Sequence, residues 1–236
     1  MSPATTSPAP AIDASGIARR FGVTWVLRGI DLQLAAGEVL GLLGANGTGK
    51  STFLRIVGTL LRPHAGTVRV FGNDVVKGAD TVREHVAYMA HAAGLYDNLT
   101  ARENLRFAAA MLDRAESDVD PVLERVGLID VGNETVRAFS SGMQRRLAIG
   151  RLLLARPRLL LLDEPYSNLD QSGIELMNAV ISEHADAGGA AVVVVHEIAP
   201  AAEVLDRTVT IADGRIAGHP DEDHERTLVP LAASDR

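Results

Sequence analysis

Residues 39–52 run Val39-Leu40-Gly41-Leu42-Leu43-Gly44-Ala45-Asn46-Gly47-Thr48-Gly49-Lys50-Ser51-Thr52, an apolar stretch that ends in glycines, one lysine and three hydroxyls. The apolar part shows no polar alternation, which predicts a strand buried on both faces. Phe53, Leu54, Ile56, Val57, Leu60 and Leu61 follow at helical spacing. Between strand and helix, Gly44 to Ser51 matches GxxxxGK[ST] in the context that pattern requires. Glycines let the backbone wrap a phosphate, so that the loop N–H groups and the following helix N-terminus converge on the anion. Lys50 then reaches the β/γ-phosphates and the Ser51 hydroxyl ligates Mg²⁺. The bland alternative is a glycine-rich turn that caps a helix. Against it, only two of the 23 basic residues are lysines, Lys50 and Lys77, and one of them falls in the motif.

Outward from this loop, His85–Ala90, Leu159–Leu162, Ala190–Val195 and Thr208–Ala212 are further strand-like apolar runs separated by helical patterning. Buried strands alternating with helices predict an α/β fold with a mostly parallel sheet covered on both faces. Ile12–Leu34 carries shorter alternating segments, Gly16–Phe21 and Ile30–Leu34, expected as half-solvated antiparallel strands. From Thr100 to about Val136 the pattern is mostly helical, opened by the capping box Thr100-Ala101-Arg102-Glu103 and broken by polar residues between Asp113 and Asp120. It is expected as an inserted helical lobe. Asp213-Gly214 marks a hairpin turn. Residues 1–11, rich in Ser, Thr, Pro and Ala with no signal-peptide pattern, and the charged residues 219–236 are expected as loose tails around one domain.

At 236 residues, 47% hydrophobic and 22% charged, the chain has the profile of an ordinary globular protein with a substantial core. The absence of cysteine excludes disulfides, thiolate zinc sites and thiol nucleophiles. A net charge of −7 argues against a nucleic-acid footprint, so no nucleic-acid partner is expected. The richest apolar stretch, Leu147–Leu162, is interrupted by Arg151, Arg156 and Arg158 and does not read as a membrane span.

Leu159-Leu160-Leu161-Leu162-Asp163-Glu164 delivers two adjacent carboxylates from the end of a buried strand. In phosphoryl transfer one acid holds Mg²⁺ and another orients the attacking water, so Asp163 suits the metal and Glu164 the water. An acidic turn before Pro165 is the bland alternative. Ala191–Val195 ends likewise in His196, placed to donate to a γ-phosphate or to the attacking water unless it is simply a surface residue. Phe139-Ser140-Ser141-Gly142-Met143 precedes a helix whose apolar face is Met143, Leu147, Gly150 and Leu154, with Gln144, Arg145 and Arg146 on other faces. Ser140 or Ser141 caps that helix, and its N-terminus is either an ordinary cap or a second anion site. Gly44, Asp163 and His196 all fall at carboxyl ends of strands, where open α/β sheets bind ligands.

From about Ile12 to Gly218 these motifs together resemble the nucleotide-binding subunit of ATP-binding cassette (ABC) transporters. Gly44–Ser51, continued by Thr52, resembles the Walker A motif, which implies ATP contacts from Gly44, Asn46, Gly47, Thr48, Gly49, Lys50, Ser51 and Thr52. Leu159–Asp163 is similar to Walker B, Glu164 to the catalytic glutamate and His196 to the switch histidine. Glu164, His196 and Lys50 are thus the implied catalytic set. Ser167-Asn168-Leu169-Asp170 resembles the D-loop, implying a nucleotide contact from Asp170. Phe139–Met143 resembles the LSGGQ signature, implying phosphate contacts from Ser140 and Gly142, and Phe21 matches the aromatic that stacks on adenine, with Trp25 a second candidate. His91 stands where the family carries a glutamine, which implies that it joins Ser51 and Asp163 near Mg²⁺ or its water. Two departures are visible: the signature reads FSSGM, losing an amide at Met143, and His91 lacks the carbonyl ligand of a glutamine.

The resemblance implies further that ATP on the Walker A motif of one subunit is covered by Ser140 and Gly142 of a second in a head-to-tail dimer. The lobe at 91–136 would contact a separate transmembrane permease subunit, placing the chain peripherally at the cytoplasmic face of the cell membrane. His91, Leu99–Phe107, Gln144-Arg145-Arg146 and Asp170-Gln171-Ser172-Gly173 are similar to the haem-exporter ATPase of cytochrome c biogenesis. Drug and lipid exporter ATPases share most of that pattern. Other classes compatible with a phosphate loop are an ABC ATPase that signals mechanically without transport, a cassette ATPase acting on DNA or the ribosome, and a small-molecule kinase.

Overall fold

The structure is a computed structural model describing residues 9–217. The tail expected at 219–236 and residues 1–8 of the N-terminal one lie outside the described residues. Ala11, assigned to that tail by composition, is fully buried, and its carbonyl accepts a hydrogen bond from the Phe71 N–H. The packed chain therefore begins before Ile12.

The apolar run ahead of the phosphate loop forms β3 (Val39–Leu43) near the centre of a six-stranded sheet. It pairs in parallel with β8 (Ala190–Val194) on one side and β9 (Arg207–Ala212) on the other. β7 (Leu159–Asp163) lies beside β8 and β6 (Val86–Met89) beside β7, both parallel. Only β10 (Arg215–Ile216) runs antiparallel, returning along β9 after the Asp213-Gly214 turn. Boundaries move slightly from expectation: His85 ends the helix α2 (Ala79–His85), and Val195 lies past β8.

The expected antiparallel segments are one long hairpin, β1 (Ile12–Phe21) and β2 (Thr24–Leu34). Its sheet is completed by β4 (Ala65–Val70) and β5 (Asn73–Asp74), in the order β2-β1-β4-β5. Sequence patterning did not single out β4, because only Val68 and Val70 in it are buried.

Alternation along the central strands creates two cores, since successive side chains of a strand point to opposite faces. Leu40, Leu42, Leu159, Leu161, Val192 and Val194 face one core, shared with the antiparallel sheet and with Phe53, Leu54, Ile56 and Val57 of α1 (Lys50–Val57). Val39, Leu160, Leu162, Ala191 and Val193 face the other, filled by α3 (Ala101–Met111), α4 (Val119–Arg125), α5 (Ser141–Ala155) and α6 (Gln171–Asp186). Each buried leucine is worth about 1.5–3 kcal/mol of burial free energy.

Within the expected lobe, α3 and α4 pack Leu105 and Leu123 toward Leu147 and Gly150 of α5. A Cβ on Gly150 would stand 3.1 Å from Val122 and 3.4 Å from Leu105, so the glycine permits this close approach. The capping box of α3 is formed: Glu103 N–H donates to Thr100 Oγ1 at 3.1 Å, and Thr100 N–H to Glu103 Oε2 at 2.8 Å. Among the described residues no helix is long and apolar enough to cross a membrane.

Candidate active site

β3, β7 and β8 end at one edge of the sheet and lead into the same place, through Gly44, Glu164 and, two residues past β8, His196. β3 passes into Gly44, whose φ of 142° is open to glycine and whose absent Cβ avoids the Ile211 carbonyl oxygen. Gly49 takes φ 110° as the residue before α1, where a Cβ would stand 2.5 Å from Leu27. These two glycines let the loop curl tightly beneath the helix N-terminus. Ala45, Asn46 and Gly47 are exposed on the rim of the loop, Thr48 Oγ1 donates to the Ala45 carbonyl at 3.0 Å, and Thr52 is half-buried in the first turn of α1.

Lys50 is only 5% exposed, and its Nζ donates to the carbonyls of Gly44 at 2.8 Å and Ala45 at 2.9 Å. Burial lowers its pKa below the ordinary lysine value, more than the nearby Glu164 and Asp163 carboxylates raise it. Ser51 Oγ donates to Asp163 Oδ1 at 2.9 Å, and the Tyr88 hydroxyl donates to Asp163 Oδ2 at 2.9 Å. Asp163 is 2% exposed. A buried carboxylate beside a hydroxyl at the foot of a phosphate loop is a hard-oxygen donor set that suits Mg²⁺.

Glu164 follows with φ 53°, a left-handed conformation rare for a side chain of this kind. The turn brings its carboxylate between two imidazoles: Oε1 lies 2.7 Å from His196 Nε2 and Oε2 lies 3.1 Å from His91 Nδ1. Burial pushes the Glu164 carboxyl upward, but the His196 hydrogen bond and the charges of His196, His91 and Lys50 outweigh it and hold the group below its ordinary value. An ionised carboxylate so placed is equipped to accept a proton from water.

Lys50, Ser51, Asp163, Glu164, His91 and His196 are thus one cluster. His91 reaches Glu164 and not the Ser51–Asp163 pair. The other sequence candidates lie apart, with local partners. Phe21 is 46% exposed near the hairpin tip under the Arg19 guanidinium, 4.9 Å from its ring centre, and Trp25 has Arg20 at 5.8 Å. Ser140 is the cap of α5, accepting from Met143 N–H at 3.2 Å, and Gly142 lies against the Asn168 carbonyl. Asp170 caps α6 through Gly173 N–H at 2.9 Å and pairs with Arg146 at 2.9 Å.

Two residues at the site were missed by sequence reasoning. Tyr88 could have been found, as the one hydroxyl in an apolar strand lying beside the strand that carries Asp163. Arg145 left no such signal, because periodicity put it off the apolar face of its helix. The structure buries it to 3% exposure against the backbone around Glu164.

With this geometry in view, similarity to known proteins decides the family. The family described as ABC transporter matches residues 27–167. This chain belongs to the ABC transporter family. It is 36% identical over 215 residues to the daunorubicin/doxorubicin resistance ATP-binding protein DrrA of Streptomyces peucetius, covering 89% of this chain and 65% of that one. A second drug-resistance relative, DrrA3 of Streptomyces coeruleorubidus, is covered to 66%, so the chain spans a little less than two thirds of the length of these two relatives. It is also 38% identical over 198 residues to the cytochrome c biogenesis ATP-binding export protein CcmA of Cupriavidus necator, covering 83% of this chain and 87% of that one. A structure described as the ATP binding subunit of an ABC transporter superposes with a TM-score of 0.81 at 27% identity, covering 87% of this chain and 88% of that one. The chain accordingly has the α/β fold of an ABC ATP-binding subunit.

Proposed function

We propose that two copies of this ABC ATPase bind two ATP molecules head to tail and hydrolyse them to drive a separate membrane subunit. The observation that carries the reading is the Glu164 carboxylate, bracketed by His196 and His91 beside Lys50 and the Ser51–Asp163 pair. In this reading the ATPase domain, expected at 12–218, begins with the buried Ala11, and the lobe at 91–136 is inserted in it.

The N–H groups of Gly47, Thr48 and Gly49 and the N-terminus of α1 receive the phosphates, and Lys50 exchanges its two loop carbonyls for phosphate oxygens. Ser51 and Asp163 would hold Mg²⁺, which supplies charge neutralisation for phosphoryl transfer when bound. Tyr88 fixes the orientation of Asp163. Glu164 takes the proton of the attacking water as its oxygen bonds to the γ-phosphorus and the bond to the β-phosphate oxygen breaks. His196 holds the Glu164 carboxylate on one side and His91 on the other. Phe21 stacks on adenine. Ser140, Gly142 and Asp170 act across the dimer, Ser140 and Gly142 covering the nucleotide of the second copy, which accounts for their distance from the cluster in one chain.

A groove of about 440 Å³ between β6 and the lobe, lined by Tyr96, Phe107, Met111, Arg151 and Leu152, suits an apolar cytoplasmic segment of the membrane subunit. The chain then sits peripherally at the cytoplasmic face of the cell membrane, with no nucleic-acid partner. Similarity to the cytochrome c biogenesis proteins, with His91 at the place of a glutamine, supports haem as cargo. Comparable identity to the drug-resistance proteins supports a drug exporter as the second reading. Identifying the membrane subunit that co-purifies separates the two.

The ATPase reading is tested with Glu164→Gln. It is expected to abolish turnover and to trap an ATP-bound dimer visible by size-exclusion chromatography. Hydrolysis at the native rate would overturn it.

A further inference from the structure

Arg145 sits in the second turn of α5, five residues after the cap Ser140, and among the described residues makes no hydrogen bond to a carboxylate. All five guanidinium N–H groups instead find backbone carbonyls. Nη1 donates to Ala90 at 2.9 Å and to His91 at 3.1 Å, Nε to Pro165 at 3.1 Å, and Nη2 to Asp163 at 3.3 Å and to Glu164. One planar fork thus joins the segment that carries His91 to the segment that carries Asp163 and Glu164.

The match between five donors and five acceptors is particular to arginine; lysine has three donors and no fixed plane. A guanidinium at 3% exposure is costly to bury unless every donor is satisfied. The carbonyls it gathers also flank the left-handed turn at Glu164, a conformation that persists only where its surroundings hold it.

We infer that Arg145 is a positioning residue for hydrolysis: it holds the turn at Glu164 and the backbone of His91 in register, so that the carboxylate stays aimed between His91 and His196. Because Arg145 rides on the helix whose N-terminus carries the signature turn, a tilt of α5 pulls directly on the Glu164 carbonyl. Docking at the signature end is thereby linked to alignment of the base. Arg145 touches neither nucleotide nor water in this scheme, and acts only through the main chain of residues it holds. The inference rests on the ATPase reading above and deepens it.

The test compares full-length native protein with Arg145→Lys and Arg145→Gln, measuring kcat and KM for ATP, equilibrium binding of a fluorescent ATP analogue, and Tm. Arg145→Lys is expected to lower kcat at least about tenfold while KM and analogue affinity stay within about threefold, because the phosphate loop is untouched and the base is misaimed. Arg145→Gln, with two donors and no charge to bury, should lower kcat further with the same split, and gives the reading if the lysine variant does not fold. A kcat within about twofold of native in either folded variant, or parallel loss of kcat, affinity and Tm, overturns the inference. Failure of Glu164→Gln to stop turnover would instead sink the ATPase reading itself, so the two outcomes are distinct.

Discussion

The two imidazoles on Glu164 come from different parts of the chain and do different work. His196 extends from the end of the β8 run and lies at 2.7 Å, whereas His91 comes from the segment after β6, at 3.1 Å, with 65% of its side chain exposed. Removing His91 leaves the Glu164 carboxylate one support and one neighbouring charge fewer. His91→Ala is therefore expected to lower turnover severalfold with ATP affinity retained, while His91→Gln, which still offers an amide donor to Glu164, loses less. The sign in pH follows from the same contacts. Glu164 lies below its ordinary 4.5 despite burial, because His196, His91 and Lys50 favour the ionised form. Loss of His91 raises that carboxyl, so the acid limb of the kcat profile should move to higher pH in His91→Ala. An acid limb in the same place would show that the charge of His91 does not reach the base. At this scale the sequence was legible wherever chemistry sits at a strand end: a buried strand that finishes in Asp163-Glu164 or runs on to His196 delivers those side chains to the C-terminal edge of the sheet. Arg145 was illegible because its partners are carbonyls, which every residue possesses and no side-chain pattern encodes.

Among the elements, α3 is the one whose start was readable residue by residue. Thr100 and Glu103 satisfy two N–H groups that the first turn otherwise leaves orphaned. Thr100→Ala should cost about 1 kcal/mol of stability, measured as a shift in urea midpoint at constant slope. An unchanged midpoint would mean that the isolated bridge between Thr100 and Thr135 and the packing of Leu105 fix the lobe without the cap. The antiparallel sheet was less legible. Gly16 and a shift in register between Ala14 and Ile17 break the alternation of β1, so only its second part, Gly16–Phe21, showed as a segment, and β4 offers too few apolar positions to carry a periodic signal.

For the whole molecule, His184 reports on how α6 closes against the sheet. Its Nε2–H donates at 3.1 Å to the Ala190 carbonyl at the start of β8, and Gly189 is a glycine because a Cβ there would strike the ring. Burial holds the imidazole below its ordinary 6.5, although the Ala190 and Arg158 carbonyls pull the other way. The unfolded chain takes up this proton as pH falls through 6.5 while the folded chain resists, so stability drops below that pH until the lowered folded value is passed. Native protein should lose Tm between about pH 7 and pH 5.5, and His184→Gln should lose less. Equal losses would assign the acid sensitivity to other groups. The α/β architecture itself was readable, since strands without polar alternation must have helices or sheets on both sides. Which face each leucine took was not, because a run of four identical residues contains no phase.

That missing phase has a consequence of its own. Leu159 and Leu161 belong to the compartment of α1, and Leu160 and Leu162 to that of α5 and α6. Adjacent letters of β7 are therefore thermodynamic strangers, while Leu161 and Phe53, more than a hundred positions apart, share one core. Evolution within this lineage would revise the four leucines as two interleaved pairs, each keeping time with a different layer of the protein.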